Sequence, residues 1–63
     1  MYYMERVTIK VSKSNVTLYY TVIDHVHNRV MIYTSSLGLA SEIKRELQNL
    51  TDSELALQTV RVE

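Results

Sequence analysis

Cysteine, proline, tryptophan and phenylalanine are all missing from this chain, and glycine occurs once, at Gly38. The absence of cysteine excludes a disulfide framework and any thiolate metal site. A single glycine excludes the glycine-rich loops that cradle phosphates. Seven Lys plus Arg balance seven Asp plus Glu, so net charge gives no argument for a nucleic-acid or anionic-membrane partner. No apolar run approaches the roughly 18 residues of a membrane span, and the opening MYYMERV lacks the basic start and apolar middle of an export signal. A cytoplasmic location is the expectation.

With 63 residues the chain reads as a single small domain, 1–63. A domain of this size buries only about 60% of the surface its unfolded chain exposes. Small chains commonly compensate with disulfides, a metal or oligomerisation. The first is excluded, so a homo-oligomer is expected.

What the chain does contain is alternation. Val16 to Ile23 places Val16, Leu18, Tyr20 and Val22 on one side and Thr17, Tyr19, Thr21 and Ile23 on the other. Period-two spacing of β-branched and aromatic residues predicts a strand with two unlike faces. Tyr3 to Val11 predicts a preceding strand, with Val7, Ile9 and Val11 inward. Ser12 to Asn15 then favours a turn, because these side chains bond their own backbone. Asp24 to Asn28 is a second polar interruption, and Arg29 to Thr34 a third strand. With Val30 and Ile32 inward, strict alternation sends Arg29, Met31 and Tyr33 outward.

Thr34, Ser35 and Ser36 supply candidate helix caps. Ala40, Ile43, Leu47 and Leu50 then recur at spacings of three, four and three, which predicts an amphipathic helix of about four turns. Thr51 to Glu54 has capping-box spacing and could open a second helix. A turn is preferred, followed by a fourth strand from Leu57 to Val62. The fold class expected is α+β: an antiparallel three-stranded meander, one amphipathic helix packed on one sheet face, and a fourth C-terminal strand (βββαβ).

One helix covers one face. Alternation leaves Arg6, Lys10, Tyr19, Ile23, Arg29, Met31, Tyr33 and Arg61 on the other. A patch of aromatic, apolar and cationic residues without a carboxylate has the character of an interaction site. Two uses compete. The face could stack on a second copy or another protein, making the chain a non-enzymatic adaptor, inhibitor or regulatory subunit, with an exposed sheet edge as a further contact. Alternatively, Tyr19 and Tyr33 could stack on single-stranded bases while the Arg and Lys residues follow phosphates.

Sharper chemistry finds little footing. His25 and His27 beside Asp24 are too few ligands for an ordinary metal site, and no cofactor is implied. Ser35 and Ser36 lack a positioned base, so capping explains them better than nucleophilic catalysis. Glu42 and Glu46 read as a solvated helix face. No enzyme activity is expected. The strand, strand, strand, helix, strand order is similar to small modules related to a truncated ribonuclease-H fold, including the partner-binding half of one family of antitoxins. This chain has no Pro-Asp-x-Pro-Gly segment and no acidic site set, so no residue roles carry over.

Overall fold

The computed structural model describes residues 5–60. Strands β1 (Val7–Ser14), β2 (Thr17–Asp24) and β3 (Arg29–Thr34) form one antiparallel sheet in the order β1-β2-β3, followed by helices α1 (Leu37–Gln48) and α2 (Asp52–Ala56). Met1 to Met4 and Arg61 to Glu63 lie outside the described residues.

The first hairpin is tighter than the sequence suggests. Ser14 faces Thr17, so Ser12 to Ser14 continue the ladder and only Asn15 and Val16 turn. Asn15 has φ 54°, the left-handed region that Asn tolerates better than most residues. Val16, expected to start the central strand, is instead 93% exposed in the turn. Asn28, at φ 53°, does the same work at the end of the loop between β2 and β3.

Strict alternation fails in β3. Tyr20, Thr21 and Val22 face Thr34, Tyr33 and Ile32, but the next residue, Ile23, faces Val30. Met31 is the extra residue of a β-bulge, and an extra residue reverses the side taken by everything before it. Met31 and Ile32 are therefore both buried while Val30 is 47% exposed. This corrects the expected orientation of three residues: Val30 faces outward, and Arg29 and Met31 lie on the helix side.

Helix α1 begins where the serines allow. Ser36 Oγ accepts from the Leu39 backbone N–H at 3.2 Å, and Thr34 Oγ1 accepts from the Ser36 N–H at 3.0 Å. Ala40, Ile43 and Leu47 are its buried residues. They join Val7, Val22, Met31, Ile32 and Leu55 in one core, with Ile9, Tyr20, Leu39 and Leu50 packed around it. Arg6 Nη1 donates to the Gln48 carbonyl at 3.4 Å, which sets the end of α1 beside the start of β1.

The expected turn at Thr51 to Glu54 is a helix. Thr51 Oγ1 accepts from the Glu54 N–H at 3.2 Å and Glu54 Oε1 accepts from the Thr51 N–H at 3.0 Å, which completes a capping box. Hydrogen bonds to the Glu54 carboxyl from Thr51, its backbone first and its side chain second, hold that carboxyl below its ordinary pKa. Leu55 is wholly buried and ties α2 to the core, whereas Leu57 is 83% exposed. Residues 57–60 form no strand. Of the fourth strand expected over Leu57 to Val62, Arg61 and Val62 fall outside the described residues. The described order is βββαα, without the final strand on which the likeness to ribonuclease-H-related modules rested. Among the described residues no helix is long and apolar enough to cross a membrane.

Candidate functional site

The helices contact one side of the sheet, and the other side carries Thr8, Lys10 and Ser12 from β1, Thr17, Tyr19, Thr21 and Ile23 from β2, and Val30 and Tyr33 from β3. The registers align these into rows: Thr8, Ile23 and Val30 across one, Lys10, Thr21 and Tyr33 across the next, and Ser12 beside Tyr19. Tyr19 is thus diagonal to Tyr33 on the neighbouring strand, a separation that aromatic side chains span. Their rings stack with centroids 5.0 Å apart and an interplanar angle of 11°. Tyr33 remains 52% exposed. A shallow depression bounded by Tyr19, Tyr33, Thr34 and Ser35 lies beside the stack.

The cations are placed differently from the sequence expectation. Arg6 turns to the helices, with Nε 3.0 Å and Nη2 2.7 Å from Asp52 Oδ1. Arg29 is drawn to the helix side by the bulge, where Nε lies 3.2 Å from Asp24 Oδ2 and Nη2 donates to the Leu55 carbonyl. Lys10 stays exposed on the open face, and Arg61 lies outside the described residues. Met31 is part of the core. Of the eight residues expected on the surface, Lys10, Tyr19, Ile23 and Tyr33 are brought together there.

Asp24 organises the opposite side. It is fully buried, a costly position for a carboxylate unless every lone pair is used. Oδ1 accepts from the Val26 N–H at 2.9 Å and the His27 N–H at 3.2 Å, folding the loop back on itself. Oδ2 meets His27 Nδ1 at 2.8 Å as well as Arg29 Nε. Burial pushes the carboxyl's pKa up, but the bonds from His27, side chain then backbone, and from Arg29 outweigh it and hold it below the ordinary value. The sequence signal for this cluster was an aspartate at a strand end followed by His25, His27 and Asn28 within four residues, a pattern that favours side-chain-to-backbone turns.

His25 and His27 go to different partners. His25 Nε2 lies 2.7 Å from Thr8 Oγ1, and His27 engages Asp24. Among the described residues no hydroxyl–imidazole–carboxylate relay is assembled, because the Thr8 hydroxyl and the Asp24 carboxylate contact different rings. Among the described residues no group of three or more metal-ligating side chains comes together. Ser36 is spent on capping α1. Among the described residues the arrangement is thus a small antiparallel sheet roofed on one side by two helices, held by a buried ionic cluster and open on the other side around a tyrosine stack. Comparisons with protein-family models, with curated proteins and with solved structures each return no match.

Proposed function

We propose that this chain is a small non-enzymatic interaction module that self-associates through the open face of its sheet. The observation that supports it is the Tyr19–Tyr33 stack on a face that the described residues leave uncovered and from which two of the expected cations have been withdrawn. Stacked tyrosines flanked by Ile23, Val30 and threonines match the centres of protein interfaces, which are rich in aromatic residues and poor in charge. With Arg6 bound to Asp52 and Arg29 to Asp24, a twofold contact no longer brings those guanidinium groups against their copies. The same withdrawal removes phosphate-following charge, which single-strand nucleic-acid binding needs along its groove.

Sedimentation velocity and light scattering from about 1 to 200 µM test the reading, with concentrations chosen to span ordinary transient affinities. The expected result is a concentration-dependent mass above that of the monomer, abolished in a Tyr19→Ala/Tyr33→Ala chain that keeps its far-ultraviolet circular dichroism. A monomer throughout the range refutes it. Retention of a labelled single-stranded oligonucleotide at low salt, lost in the same variant, would transfer the surface to the nucleic-acid reading.

A further inference from the structure

We infer that β1 is a second self-association surface, pairing antiparallel with β1 of another copy so that Ile9 lies opposite Ile9 and two sheets become one of six strands. This rests on the self-association reading and names a contact outside the face. The two edges of the sheet are not equivalent. β3 is the shorter, at six residues, and carries the Met31 bulge, a device that discourages strand addition. β1 has eight residues in regular register with β2 and one strand neighbour among the described residues.

The direction of its free backbone groups is fixed. The His25 N–H donates to the Arg6 carbonyl at 2.8 Å, so Arg6 is in a hydrogen-bonded pair with the neighbouring strand. The alternation then turns Thr8, Lys10, Ser12 and Ser14 toward β2, and Val7, Ile9, Val11 and Lys13 toward the edge. Symmetric pairing through these outward residues allows three central registers. Centring on Lys10 sets that ammonium against its own copy, which is unfavourable. Centring on Val11 puts Lys13 opposite Ile9. Centring on Ile9 puts Val7 opposite Val11, Lys10 opposite Thr8, and Lys13 opposite Glu5. It covers Val11, 57% exposed in the single chain, and twice brings Lys13 of one copy to the Glu5 carboxylate of the other, which Lys44 Nζ of its own chain already approaches at 3.5 Å.

The area argues in the same direction. Two strands about 26 Å long and one about 20 Å long, spaced about 4.8 Å, present roughly 350 Å² in projection, against roughly 800 Å² per partner in a stable interface. Edge pairing with the twofold perpendicular to the sheet lays two open faces side by side and doubles that panel.

Because the chain has no cysteine, single-cysteine variants report the register directly. Opposed residues in a hydrogen-bonded antiparallel pair have Cα atoms about 5.5 Å apart, within disulfide range. Under mild oxidation Ile9→Cys is expected to form a covalent dimer with unchanged circular dichroism, and Lys10→Cys and Val11→Cys to remain largely uncrosslinked. Should Ile9→Cys perturb the fold, charge exchange decides independently. Lys13→Glu alone and Glu5→Lys alone should each weaken association about three- to tenfold, and the double exchange should restore it. Residues 5 and 13 are eight residues apart, about 26 Å in extended chain, and the partner of Glu5 within the chain is Lys44, so restoration by the exchange at 13 has to arise between copies. Failure of both the crosslink and the restoration overturns the proposal. Tyr19→Ala/Tyr33→Ala should leave the Ile9→Cys crosslink in place, so loss of the face contact and loss of the edge contact are separately visible.

Discussion

Replacing Asp24 by asparagine keeps the shape of the side chain and removes its charge. Oδ1 of the amide can still accept from Val26 and His27, but the amide nitrogen faces His27 Nδ1 and Arg29 Nε, where Oδ2 accepted at 2.8 and 3.2 Å. Two charge-assisted bonds are lost, each worth about 1.5 to 3 kcal/mol, and Arg29 is left beside a donor. The expected loss is about 3 to 5 kcal/mol. A 63-residue domain has roughly 3 to 9 kcal/mol in total, at 0.05 to 0.15 kcal/mol per residue. Asp24→Asn should therefore bring the chain near its folding limit at pH 7. Urea titration by circular dichroism measures this as a lower midpoint at constant slope. The acid behaviour provides a second check. The folded-state pKa of Asp24 is depressed, so its contribution is fully present above the unfolded value of about 3.9 and fades as pH falls through the lower folded value. The gap between wild type and variant should stay undiminished down to about pH 4 and close only at lower pH, as the depressed folded-state pKa is approached. A variant within 1 kcal/mol of wild type at pH 7 would refute the assignment of Asp24 as the organiser of the β2–β3 loop.

Two further pairs of substitutions test the corrected parts of the fold. Leu55→Ala, at a fully buried site, should cost about 2 to 5 kcal/mol, whereas Leu57→Ala, 83% exposed, should stay within about 0.5 kcal/mol; equal effects in urea melts would contradict the short helix α2. Met31→Ala should likewise cost about 2 to 5 kcal/mol and Val30→Ala under about 1, and the reverse ranking would restore the register without a bulge.

The strands and α1 were legible because their signals are periodic. Val7, Val22, Ile32, Ala40, Ile43 and Leu47 were placed inward by spacing alone, and all are buried. The inserted residue in β3 was not legible. Alternation in Arg29 to Thr34 fits either side until a partner strand fixes the register, and Val30 and Met31 are both apolar enough to be buried. What decides between them is three-dimensional: Arg29 on the helix side finds the Asp24 carboxylate and the Leu55 carbonyl, two partners distant in sequence or hidden in a loop. The short helix was half legible. Thr51 and Glu54 have the spacing of a capping box, yet five residues are too few for helix propensity to favour them unaided. Burial of Leu55 supplies the missing stabilisation, and that burial depends on where α1 ends.

The bulge has two consequences that bear on each other. By admitting one extra residue it rotates Arg29 off the open face and onto the side where a buried carboxylate needs a cation. Without that rotation Asp24 would lose the bond from Arg29, and the loop carrying His25 and His27 would lose its connection to α2 through the Leu55 carbonyl. The guanidinium would also stand on the sheet surface, where it would repel its counterpart in a second copy. A single inserted methionine thus places a charge where it supports a thin core and clears it from the surface around the stacked tyrosines. Stability and the character of the exposed face are therefore set by the same local departure from strand regularity.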